Sequence, residues 1–186
     1  RQANDLQSRI AAYSGSSNEL KWESVYKEYV SLQKMHDAIF KVPQVYDIIQ
    51  PVDYATDLVT SSNKAADVRY DRGMSFLQRE NRQGYRDAYH EFQVAISYAP
   101  GDRDIMDKMA IAYENAVTNV VVMPLQQTGG YMYSYYSPGA DQLDYQFVNN
   151  LQRNSGSEFV KFYTADDARA SHIRADEVLD MRLTAL

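Results

Sequence analysis

The chain contains no cysteine, which excludes disulfides, zinc–thiolate sites and thiol nucleophiles together. Positive charge is also scarce: 19 Lys and Arg against 25 Asp and Glu leave a net charge of −6. No basic surface therefore argues for nucleic acid or anionic lipid, and mild acidity reads first as solubility. Long apolar runs are missing too. The longest, Asn119-Val-Val-Val-Met-Pro-Leu125, is of strand length, far short of the ~20 residues that span a bilayer. Catalytic patterns are equally thin. His36, His90 and His172 are scattered, with no pair at ligand spacing. No serine stands in a Gly-x-Ser-x-Gly turn, and Gly129-Gly130 lacks the lysine and helix start of a phosphate cradle. Asp166, Asp167, Asp176, Glu177 and Asp180 are acidic neighbours without the alternating oxygens and glycine bend of a calcium loop. No enzyme chemistry, cofactor or metal is expected.

What is there is ordinary for a globular protein: 186 residues, 45% apolar and 24% charged, enough for one domain or two small ones. The periodicity divides the chain. From residue 2 to about 118 apolar positions recur at three and four, the helical period. Leu6, Ile10 and Tyr13 make a first helix ended by Ser14-Gly15-Ser16-Ser17. Asn18 is placed to cap a long second helix that Pro43 stops. The segment from Gln44 to Thr60 carries Val45, Ile48, Ile49, Pro51, Val52 and Tyr54. It is too apolar for a free linker and is predicted to pack as a short helix and turn, with Ser61-Ser62-Asn63 starting the next helix.

That next helix places Ala66, Tyr70, Gly73 and Leu77 on one face. After a turn at Gly84-Tyr85, residues Ala88, Phe92, Ala95, Ile96 and Pro100 follow at helical spacing. Small or aromatic residues where two antiparallel helices touch, closed by a proline, resemble a tetratricopeptide repeat. The resemblance covers about 66–100, and Ala38-Ile-x-x-x-Pro43 echoes Ala95-Ile-x-x-x-Pro100, so a degenerate preceding unit is expected with Ala11 in its first helix. Ser31 and Met35 depart from the pattern, standing where the better unit has Ala88 and Phe92. Asp102 can cap a further helix with Met106, Met109, Ala110 and Tyr113.

Beyond residue 118 the pattern changes to β–loop–α–β–α–β: strands at 119–125, 159–163 and 177–183, and helices opened by Asp141 and by Thr164 in a capping-box-like Thr-Ala-Asp-Asp. Strands separated by helices imply parallel pairing. The predicted fold is therefore α+β: an antiparallel helical-repeat region over 1–118 and a small α/β region over 119–186, its sheet expected to continue past Leu186.

The resemblance to tetratricopeptide repeats implies a groove for a protein or peptide partner, lined by the non-signature residues of each first helix. Those are Arg69, Arg72, Gln78 and Arg79, with Asp107 and Glu114 from the next helix. Three arginines close together suit a carboxylate or an acidic tail, although arginine is common on solvated helix faces. Tyr131, Tyr133 and Tyr135 alternate in a loop between glycines and Ser137-Pro138-Gly139, a second contact if exposed and a cover for the sheet edge if folded back. The expected function is a non-catalytic docking or scaffold module. Glycan or small-ligand binding through the tyrosine loop is the alternative, and an enzyme completed by further sequence a third reading. The 16 tyrosines without cysteine resemble bacterial envelope composition, hence a periplasmic or outer-membrane-attached lipoprotein, or else a cytoplasmic protein. A first residue of Arg1 implies a processed or excised chain, with any signal peptide or lipid anchor upstream. Oligomeric state is left open.

Overall fold

The computed structural model describes residues 2–124, 126–128, 140–180 and 182–184. They form two compact units, Arg1–Ala112 and Tyr113–Leu186. Most of the chain is helical, with a small parallel sheet in the second unit, so the α+β class holds.

The first unit contains α1 (Gln2–Ser14), α2 (Lys21–Phe40), α3 (Pro43–Ile49), α4 (Ala55–Leu77), α5 (Arg82–Tyr98) and most of α6 (Arg103–Ala116). Contacts between α4 and α5 run in opposite senses along the two helices. Gly84 meets Phe76, Phe92 meets Gly73, and Ser62 Oγ donates 2.6 Å to the Tyr98 carbonyl. The pair is therefore antiparallel. Ala88, Phe92 and Ala95 are fully buried (0% exposed) and pack with Ile105 and Ala112 of α6, under Tyr70, Met74 and Leu77 of α4. Small residues set the spacing. A Cβ on Gly73 would lie 2.5 Å from Phe92 Cε1, and one on Gly84 2.7 Å from the Phe76 carbonyl oxygen, so both glycines exist for close approach.

Several boundaries differ from those read in the sequence. Gly84 lies inside α5 rather than in a turn, because Asn81 takes the N-cap and its Oδ1 accepts the Gly84 N–H at 2.8 Å. Ser61 and Ser62 are buried in the middle of α4, which starts at Ala55. Asn18 does not cap α2. Its side chain accepts from Leu20 N, ahead of the helix start at Lys21. Asp102 does cap α6, accepting from Asp104 and Ile105 N–H. The echo between 38–43 and 95–100 is not matched in burial: Ala95 is fully buried, whereas Ala38 and Ala11 are exposed.

The second unit holds β1 (Thr118–Val122), β2 (Gln126–Thr128), α7 (Ala140–Asn154), β3 (Val160–Thr164), α8 (Ala165–Ala170), β4 (Glu177–Leu179) and β5 (Arg182–Thr184). One sheet runs β3-β1-β4 with both pairings parallel, and β2 pairs parallel with β5. The continuous Val120-Val121-Val122 run suits the central strand, since a parallel strand covered on both faces has no polar side. The last strand is broken in two. Its first part, β4, pairs with β1 and its second, β5, with β2. Edge strand β3 is closed by a side chain: Gln152 of α7 donates 3.1 Å to the Val160 carbonyl and accepts 3.0 Å from Phe162 N. Thr164 caps α8 by accepting from Asp167 N, and the helix ends at Ala170.

Candidate interaction surfaces

Of the arginines expected to face a partner, Arg69 and Arg72 come together on α4, but they hold a carboxylate of this chain. Glu91 of α5 is 9% exposed. Its Oε2 accepts from Arg69 Nη1 at 2.8 Å and its Oε1 from Arg72 Nε and Nη2 at 3.1 Å. Arg69 Nε also binds Glu23 of α2, and Arg72 Nη1 binds Glu19 at 2.9 Å. Burial pushes the Glu91 carboxyl up, but the two guanidinium groups outweigh it and hold the pKa below the usual glutamate value. Hydrogen bonding to Glu23 leads the upward shift of Arg69. Two arginines and three glutamates thus tie α2, α4 and α5 together, and the bidentate recognition that arginine favours is used within the unit. Arg79 is elsewhere. Its guanidinium stacks 4.4 Å over Phe76 and stands 3.8 Å from Asp87. Gln78, Asp107 and Glu114 are exposed. Tyr131, Tyr133 and Tyr135 lie outside the described residues.

The surface that does stand open takes in Val45, Ile48, Ile49 and Val52, which the sequence predicts to be packed, together with Phe40 and Val42 before them. Phe40, Val42, Val45, Ile48, Ile49 and Val52 are all exposed, Phe40 at 63% and Ile48 at 84%. α3 forms as predicted, with Pro43 in its first turn and Gln50 ending it in the left-handed region (φ 42°). Yet α3 buries no residue, and from 41 to 50 only Tyr46 is less than exposed. Tyr46 anchors the helix. Its ring meets Phe40 edge-on at 5.5 Å, and Phe40 stacks on His36 at 6.0 Å. On the following side, Gln33 Oε1 of α2 accepts the Tyr54 N–H at 2.8 Å, which pins the chain where it enters α4. The apolar face is thus held in place at both ends while facing solvent.

Concavities are found in both units. A groove of about 420 Å³ lies between Leu58, Val59, Ser62 and Asn63 of α4 and the 98–102 turn. In the second unit, Val122, Pro124, Asp144, Tyr145 and 164–167 line about 190 Å³ at the carboxyl ends of β1 and β3. Parallel sheets place ligands at that edge, but the volume is below the ~300 Å³ of small-molecule sites. Its polar groups are also engaged: Thr164 caps α8 and Asp166 pairs with Arg169 at 3.1 Å. Among the described residues no group of His, Asp or Glu is arranged to hold a metal, and no helix is long and apolar enough to cross a membrane.

No protein-family model, curated protein or solved structure matches the chain. Its function has to be read from its own residues.

Proposed function

We propose that the chain is a non-catalytic docking or scaffold module whose helical unit is of the tetratricopeptide-repeat kind, working in the cell envelope of a bacterium as part of a lipoprotein. The observation that carries the docking role is the apolar 40–52 stretch, six large side chains exposed on an anchored helix and its flanks. Large apolar side chains left exposed together in one short stretch mark a site of association. The repeat-like reading is supported by the antiparallel α4–α5 pair, with Gly73 against Phe92 and α6 continuing the layer. Envelope placement is supported by the tyrosine-rich, cysteine-free composition.

The arginine-lined groove gives way to the apolar face as the proposed contact, because Arg69 and Arg72 are already satisfied by Glu19, Glu23 and Glu91. A photo-cross-linking amino acid at Ile48, introduced in the cells that make the protein, is expected to yield discrete adducts. The same group at Arg103, exposed at the start of α6, is the control. Equal, diffuse labelling from both positions would remove the docking reading.

A further inference from the structure

We infer that residues 41–53 form a strap whose hold on α2 is switched by the protonation of His36, so that acidity sets how firmly α3 is fixed. The inference stands on the attachment of the strap and not on the docking reading above. α3 buries no residue of its own, so its position depends on the two attachments through Tyr46 and Tyr54. Both converge on one stripe of α2: Gln33, His36, Asp37 and Phe40, at i, i+3, i+4 and i+7. Phe40 meets the Tyr46 ring at 5.5 Å, and Gln33 Oε1 accepts the Tyr54 N–H at 2.8 Å. His36 touches both holding residues. Its side chain, only 12% exposed, stacks on Phe40 at 6.0 Å, and its Nδ1 lies 3.4 Å from Gln33 Nε2.

The two contacts of Nδ1 exclude one another. Asp37 Oδ1, an acceptor, stands 3.2 Å away, and Gln33 Nε2, a donor, 3.4 Å away. With a proton on Nδ1 the ring donates to Asp37, and without one it accepts from Gln33. Histidine is the side chain whose charge changes between about pH 5 and 8. The groups around the ring decide which charge fastens the strap. They are Asp37 and Phe40 on α2, Tyr46 of α3 behind Phe40, and Asp53 on the connection into α4. Asp53 is held below the ordinary aspartate value, first by the Ala55 N–H, then by a hydrogen bond from Gln33, and in part by attraction to His36. It is therefore ionised throughout the histidine range. A charged imidazole attracts both carboxylates, one of them carried by the strap itself, and the face of Phe40. A neutral ring loses all three attractions. The strap is fastened on the acid side and slack on the alkaline side.

The chain has no cysteine, so Ile48→Cys, at a position 84% exposed, takes a single nitroxide label. Its paramagnetic resonance line shape at about pH 5.5 and about pH 8 reads the mobility of the strap across the histidine range. The ratio of mobile to held label should rise about threefold between them, the scale of an exposed charge interaction. In His36→Gln the ratio should stay high at both values. In His36→Arg, whose guanidinium keeps its charge and stacks on aromatic rings, it should stay low. The same label at Gln93, exposed on α5, should not respond. A parent line shape identical at the two values would overturn the switch, as would a response that survives in His36→Gln. Should His36→Gln lose helicity by circular dichroism, Asp53→Asn, at an exposed position, decides in its place, and an undiminished rise there overturns the switch. Cross-linked adducts from Ile48 without a pH response overturn the switch and leave docking standing. A pH response without adducts does the reverse.

Discussion

Gly73→Ala separates a close-packed helix pair from a merely adjacent one, because the two cases predict opposite signs. Alanine in an exposed helix interior is favoured over glycine by about 0.8–1 kcal/mol. At Gly73 the added Cβ would lie 2.5 Å from Phe92 Cε1 and 2.8 Å from Cδ1 and Cζ. Phe92 is fully buried against Ala88, Ala95 and Ile105 and has no free direction in which to turn. Overpacking of such a core costs about 1–3 kcal/mol. The clash should therefore exceed the propensity gain and leave the variant less stable by about 1 kcal/mol. Trp22 is the only tryptophan and lies in α2, with the Lys64 ammonium of α4 4.0 Å over its ring. Its fluorescence during urea unfolding thus reports the helical unit alone. Adding Phe92→Leu, which shortens the ring edge, should cost less in the Gly73→Ala background than in the parent. A Gly73→Ala protein more stable than the parent would refute the wedge.

The remaining expectations concern charge, caps and the sheet edge. Glu91→Gln should cost about 2 kcal/mol, between the ~0–1 of an exposed ion pair and the ~3–5 of a fully buried one, measured by the same fluorescence titration. Because the folded pKa of Glu91 is depressed, its contribution is complete above the unfolded value and is lost as pH falls through the folded one. Thermal unfolding of Glu91→Gln should accordingly show a shallower loss of stability on the acid side than the parent. The Tyr70 hydroxyl donates to Asp104, and that bond is the first cause of a pKa pushed up to about 12. Its contribution is present below the ordinary tyrosine value and disappears as pH rises toward 12, so Tyr70→Phe should flatten the alkaline limb of the same curve. Gln152→Ala removes two hydrogen bonds to the β3 edge and should cost about 1–2 kcal/mol, seen as faster amide exchange of Phe162.

Element types were legible in the sequence because periodicity reports them directly. The helical stripe through Ala88, Phe92 and Ala95, the valine run of β1 and the Thr164 cap all stand where pattern places them. What misled was chemistry with two uses. Glycine serves turns and close approach alike, so Gly84 read as a turn although Asn81 supplies the cap. A serine pair reads as a helix start, whereas Ser61 and Ser62 are small residues buried in mid-helix, where Ser62 reaches the Tyr98 carbonyl. The arginine cluster was visible, but its partners Glu19, Glu23 and Glu91 are distant in the chain and only folding brings them together. The apolar 44–60 segment shows the same limit from the other side. Pattern reveals that α3 is amphipathic without revealing whether what covers it belongs to the same molecule.

Photo-cross-linking from Ile48 in the cells that make the protein tests the claim that the open face of α3 is where the protein associates. The account predicts discrete adducts from Ile48, which is 84% exposed, and none from Arg103. Equal, diffuse labelling from both positions, or no adduct from Ile48, would contradict it.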